Sequence, residues 1–163
     1  PNAEMLRGTV HDPTARRMGG IAGHAGLFGT ADDLALFGAM MLGGGHLTPE
    51  GPAVLSSHTV ARMTTPATPP HLDESRGLGW DIDSRFSSNR GDLFSEHSYG
   101  HTGFTGTSIW IDPATSTVVV FLSNRVHPDG NGNVNALRGR VATLAAAAVT
   151  GMQPTEPNSF TSN

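Results

Sequence analysis

The sequence contains no lysine; its ten basic residues are all arginine, so any motif that needs a lysine is excluded from this chain. Cysteine is absent too, which rules out disulfides and thiolate metal sites and leaves the compartment open. No apolar run is long enough to span a membrane. Charge is scarce, at 15% of residues with a formal net of −4. No basic patch of the kind that holds phosphate backbones is evident, which argues against a nucleic-acid partner.

What is present points to a folded, loop-rich domain. The 163 residues suffice for one modest core, and 37% of them are hydrophobic. Glycine (21) and proline (11) are frequent, which suggests an enzyme-type fold rather than a helical bundle. The chain opens on Pro1-Asn2-Ala3-Glu4, without Met or a signal-peptide pattern. Loss of a signal and derivation from a larger protein both fit that start. The motifs below favour the second.

Residues 1–30 read as loop, with Asp12-Pro13 as a turn signal and Arg16-Arg17 as a solvated turn. The clearest helix follows. Thr30 can cap it, with Asp33 completing a capping box. Leu34, Phe37 and Met41 form an apolar stripe, Met40-Met41 suits the core, and Gly43-Gly44-Gly45 stops the helix. A shorter helix over 57–63 starts from Ser57 as cap, and Pro66, Pro69 and Pro70 mark an extended linker. Residues 78–82 suit a short strand, and the polar stretch 84–96 a surface loop. The strongest β signal is 107–124: a strand, an Asp112-Pro113-Ala114-Thr115 turn, then the β-branched run from Thr117. Residues 98–102 add a third strand. An Ala-rich helix over 133–149, with Asn133 as cap, covers one face. Residues 1–150 are thus expected to form part of an α/β (α+β) domain, with a three-stranded antiparallel sheet, and residues 151–163 a flexible tail. Such a sheet leaves an edge and a face open unless more chain covers them.

The segment that can carry chemistry is Gly100-His101-Thr102-Gly103-Phe104-Thr105-Gly106. Its glycines let a ligand or another backbone approach a strand closely. A free strand edge beside a pocket can offer N–H groups to a developing oxyanion. A histidine there can hold or pass a proton near neutral pH. Spacing alone is equally compatible with a tight strand end carrying an exposed His.

The surroundings decide between them. His101-Thr102-Gly103, the following hairpin, and Leu122-Ser123-Asn124-Arg125 before the last helix resemble the Lys-Thr-Gly region of class C β-lactamases and related penicillin-binding serine hydrolases. Ala22-Gly23-His24-Ala25-Gly26-Leu27-Phe28-Gly29-Thr30-Ala31-Asp32-Asp33-Leu34 is similar to that family's glycine-rich turn entering a helix, and Gly77-Leu78-Gly79-Trp80 to its Gly-Leu-Gly-Trp strand. The four segments come in the family's order and cover most of residues 18–149. The resemblance implies the C-terminal part of a β-lactamase/transpeptidase-like domain, an antiparallel sheet with flanking helices. It implies acyl-enzyme hydrolysis of an ester, amide, D-amino-acid peptide or β-lactam, in a periplasmic or secreted protein, with no cofactor.

Two departures from the family pattern matter. His101 stands where class C β-lactamases carry Lys. Neither Ser-x-x-Lys nor Tyr-x-Asn occurs, and the single tyrosine, Tyr99, precedes Gly100. Both motifs lie N-terminal to the matched region in the family, so the expected partner is an N-terminal segment carrying them. By resemblance, His101, Thr102 and Gly103 line the substrate strand and the Phe104 N–H is a candidate oxyanion donor. His24 either lines the pocket or bonds to backbone in a turn. Arg125 either binds a substrate carboxylate or serves the surface, and Asn124 caps the hairpin end. The alternatives are a non-catalytic module binding cell-wall peptides, and a zinc hydrolase using His24, His97 and His101. The last is disfavoured because strand spacing sets His97 and His101 far apart.

Overall fold

A computed structural model describes residues 5–149. The elements are α1 (Pro13–Arg17), α2 (Ala31–Leu42), α3 (Ser57–Thr64), β1 (Ser75–Arg76), β2 (Asp81–Asp83), a 3-10 turn (Ser87–Asn89), β3 (Tyr99–Thr102), β4 (Ser108–Asp112), β5 (Thr117–Phe121) and α4 (Asn135–Ala147). The strands make one antiparallel sheet of five in sequence order, so each pairs with its neighbours in the chain. The expected three strands are the last three. Residues 151–163, expected as a tail, lie outside the described residues.

Local chemistry accounts for most boundaries. Thr30 caps α2 through the Asp33 N–H while the Asp33 carboxylate accepts from the Thr30 N–H and hydroxyl. Those bonds hold the Asp33 carboxyl below its usual pKa. Ser56, one residue earlier than expected, caps α3. Residues 13–17 form a helix rather than loop, because Pro13 supplies the fixed φ of a first turn and Asp12 accepts from the Ala15 N–H. Arg16 and Arg17 are exposed, as a solvated pair should be, but they end this helix, and Arg16 donates to the Val10 and His11 carbonyls. The strand expected over 78–82 begins at Asp81, because Gly79 has φ +81° and breaks the extended run. Asn133 does not cap α4 at the expected place: Val134 is the cap, and the Asn133 side chain accepts from the Asn135 N–H.

The register sorts residues onto two faces. Tyr99 pairs with Ile111 and Ile111 with Val118. Tyr99 and Ile111 lie in the core with Met40 and Met41 of α2, Val60 of α3, Trp80 and Ile82. Gly100 pairs with Trp110 and Trp110 with Val119, on the other face. There the Trp110 Nε1–H donates to Asn89 Oδ1 at 2.8 Å, and the 3-10 turn carrying Asn89 packs on α4. The sheet therefore separates α2 and α3 from α4.

The polar stretch 84–96 is not a mere surface loop. Ser87, Asn89 and Phe94 are buried, and Ser95 donates its hydroxyl to the fully buried Asp112 carboxylate. Asp112 also accepts from the Ala114 N–H and the Thr115 hydroxyl, which fixes the β4–β5 turn.

Gly100 has no room for a side chain: a Cβ there would run into the Ile109 carbonyl and the Trp110 indole. Neither backbone nor a ring only 1% exposed can step aside. Gly100→Ala should destabilise the full-length protein by about 3 kcal/mol, the upper range for overpacking a tight core. A urea midpoint unchanged from wild type would contradict this packing.

Candidate active site

The chemistry-bearing segment lies where β3 runs out into a tight turn. The Gly103 N–H donates to the Thr107 carbonyl at 2.7 Å, and the Gly106 N–H to the Gly103 carbonyl at 3.1 Å. Gly106 has φ +122° and is pressed against Ser123, whose hydroxyl donates to the Gly106 carbonyl. The turn is thus tied to the chain leaving β5. The Phe104 N–H, inside this turn, donates to no group among the described residues.

A cavity of about 340 Å³ opens over this end of the sheet. Its walls bring together His24, Leu34, His101, Thr102, Gly103 and Phe104, with Thr107, Ser108, Ile109 and Leu122. His24 comes from the glycine-rich loop before α2 and His101 from β3, so residues 77 positions apart in sequence share one wall. A larger groove, about 570 Å³, runs between residues 88–92 and α4. It holds none of the motif residues, so the smaller cavity is the chemically interesting one.

His101 is solvent-exposed and held at both ring nitrogens. Its Nδ1 lies 2.9 Å from the Thr102 carbonyl, which can only accept, so Nδ1 carries the proton. Its Nε2 lies 3.4 Å from Arg76 Nη2, which can only donate, so Nε2 presents its lone pair. In this arrangement both ring nitrogens are engaged. Arg76 in turn is anchored through Nη1 to the buried Asp81 carboxylate, at 2.5 Å. Ser84 donates its hydroxyl to the same carboxylate oxygen.

His24 bonds to a side chain rather than to backbone: Nε2 lies 2.9 Å from Asp12 Oδ1. The Ala15 N–H, foremost, and then His24 hold the Asp12 carboxyl below its ordinary pKa. The same carboxylate therefore caps α1 and orients a wall of the cavity. Phe104 projects outward, 69% exposed, with the His11 ring stacked on it at 5.7 Å and the Arg125 guanidinium over it at 4.1 Å. Arg125 also donates to the carbonyls of Phe104, Gly130 and Gly132. It is not among the residues lining the cavity. Asn124 accepts from the N–H groups of Val126 and His127, capping the turn that follows β5.

Tyr99 is core. It is 3% exposed, meets Trp80 edge to face, and burial pushes its phenol up to about 12. It faces the helices, not the cavity, and stays a neutral phenol. His97 is on the surface, 71% exposed, with Glu96 at 3.9 Å. Among the described residues no three of His, Asp and Glu converge on a point where they could hold a metal ion.

Arg76, Asp81, His11 and Arg138 escaped the sequence reading. Arg76 lies just ahead of Gly77-Leu78-Gly79-Trp80, but nothing in that spacing says that it meets His101, 25 residues on. Only the pairing of β1, β2 and β3 brings them together.

Residues 2–144 match the family model described as Beta-lactamase. The chain belongs to the β-lactamase family. The resemblance read from the four segments is therefore the true relationship, and the five-stranded antiparallel sheet with flanking helices is the family's fold. Among curated proteins, two from Salmonella typhi and Salmonella paratyphi B, each named "Putative D-alanyl-D-alanine carboxypeptidase", are 40% identical over 134 residues. That stretch is 80% of this chain and 30% of each relative, so the chain spans less than a third of their length. Among solved structures, a β-lactamase from Mycobacterium bovis superposes with a TM-score of 0.61 at 26% identity, over 78% of this chain and 47% of that one. The family membership makes this a serine-hydrolase-type domain. No helix among the described residues is long and apolar enough to cross a membrane.

Proposed function

We propose that this chain supplies the substrate-strand side of a serine acyl hydrolase, whose nucleophilic Ser, its Lys and a Tyr reside on an N-terminal segment. The observation that carries this reading is the cavity at the end of β3. There His101 at the end of β3, its Nε2 turned to the Arg76 guanidinium, and the unpartnered Phe104 N–H of the turn that follows line one cavity with His24. Those are the parts an acyl transfer needs next to a nucleophile: a proton acceptor within reach, and a donor for the developing oxyanion. Thr102 at the end of β3 and Gly103 just past it form the edge along which a substrate lies. Arg125 is a reserve contact for a substrate carboxylate, by way of the Phe104 rim that it covers.

The substrate is an ester or a D-amino-acid peptide. The Salmonella relatives carry the name of a D-alanyl-D-alanine carboxypeptidase, which agrees with the peptide. A lysine at position 101 would bring a permanent charge that attracts the carboxylate of penicillins and cephalosporins. Here an imidazole, which carries no permanent charge, stands in its place, and the nearby Arg76 charge is balanced by Asp81 at 2.5 Å. Such an enzyme acts on cell-wall peptide chemistry, so the protein is placed in the periplasm or outside the cell.

The test compares kcat/KM of the full-length protein on a p-nitrophenyl ester, a D-Ala-D-Ala peptide and a chromogenic cephalosporin. The ester or the peptide is expected to lead. A clear preference for the cephalosporin would reverse the substrate assignment. Stable acylation by a labelled penicillin without turnover of any of the three would make the protein a binding module instead.

A further inference from the structure

Arg138 of α4 is a cation buried without an acidic partner among the described residues: it is 5% exposed. Its Nη1 donates to Asn135 Oδ1 at 2.9 Å, and its Nη2 to two backbone carbonyls, Gly103 at 2.9 Å and Thr107 at 2.8 Å. Burial, and then the charge of Arg125, depress the guanidinium's pKa. Burying a cation on neutral acceptors costs free energy, so its placement on these two carbonyls calls for a reason beyond filling space.

The covalent geometry suggests one. The Gly103 carbonyl and the Phe104 N–H belong to the same trans peptide unit and point in opposite directions. Arg138 grips that carbonyl from α4, on the Trp110 face of the sheet. The N–H is thereby aimed away from α4. That is the direction of the face carrying His101, which pairs with Ile109, and of the cavity, which Ile109 and Leu34 of α2 line. The Gly106 N–H on the same carbonyl and the Gly103 N–H on the Thr107 carbonyl close the turn. Nη2 therefore spans both acceptors of the turn at once.

We infer that Arg138 is a positioning residue, which locks the Gly103–Phe104 peptide so that the Phe104 N–H is held ready for the substrate oxyanion. The inference rests on the functional reading above and specifies which part of the chain enforces it. Within the turn the Gly103 carbonyl has one further donor, the Gly106 N–H at 3.1 Å, and glycine at 103 brings no side chain to restrain that peptide. A donor that must be aligned during the reaction stabilises the transition state less than one already in place.

The experiment uses the full-length protein, with Arg138→Met and Arg138→Lys. Methionine removes every donor; lysine keeps the charge but lacks the planar fork. Three readouts are taken: kcat and KM on a p-nitrophenyl ester, affinity for phenylboronic acid, and folding by circular dichroism and thermal melting. The boronate's tetrahedral adduct places an oxygen where the oxyanion forms. Arg138→Met should lower kcat about 10- to 100-fold, somewhat less than outright loss of an oxyanion donor. Boronate affinity should fall in step while KM holds, and Arg138→Lys should fall between wild type and Arg138→Met. Folded variants with wild-type kcat, or a change in KM alone, would overturn the inference. So would loss of fold in both variants, which would make Arg138 purely structural. A wild-type protein that turns over none of the substrates and takes up no acyl group would remove the functional reading, and this inference with it. An active wild type with indifferent variants would remove this inference alone.

Discussion

His101→Ala in the full-length protein is expected to lower kcat/KM on the ester about a hundredfold, the scale of a positioned proton-transfer group. Its melting temperature should change little. The side chain is exposed and makes only two polar contacts, with the Thr102 carbonyl and Arg76. Arg76 keeps its bond to Asp81 when the ring is gone, so no buried charge is stranded. The effect should therefore appear in the chemistry and not in the fold. Steady-state kinetics beside a thermal melt separate the two. Retention of wild-type turnover by a folded variant would reduce His101 to an ordinary strand-end residue.

The sequence was most legible where one residue type has one dominant local use. The Thr30/Asp33 capping box, the glycine stop after α2, and the β4–β5 hairpin with its Asp112-Pro113 turn all emerged as read. The triplet was legible too, as a strand end opening on a turn, and the structure adds a cavity above it. The failures are non-local. Two short strands were missed or misplaced because two or three residues carry almost no periodicity and exist as strands only by pairing, β1 with β2 and β2 with β3. Polarity was misread as exposure at Asn89 and Ser95, whose partners Trp110 and Asp112 lie far along the chain. Arg76 and Arg138 were unreadable for the same reason. An arginine in a sequence is a surface residue by default, and only tertiary structure shows one meeting an imidazole and the other two buried-side carbonyls.

The 163 residues expressed alone are expected to show no turnover of the ester or the cephalosporin above a buffer blank. The acyl-enzyme route needs a nucleophile activated by a neighbouring base. No Ser-x-x-Lys can occur in a chain without lysine, and the one tyrosine is a buried core residue whose phenol titrates at about 12. Folding of the isolated chain should also be weak. All five residues of β5 are only half-buried, and β5 has β4 as its sole strand partner among the described residues. Apolar side chains such as Leu137 and Leu144 on α4 stand more than half exposed. An unpaired edge beside uncovered apolar surface favours association over a cooperative monomer. Adding a segment that carries Ser-x-x-Lys and Tyr-x-Asn, in cis or as a separate chain, should restore both a cooperative melt and turnover. Turnover by the isolated chain, with a sharp melting transition, would mean that the nucleophile lies within these residues and that the division of labour proposed above is wrong.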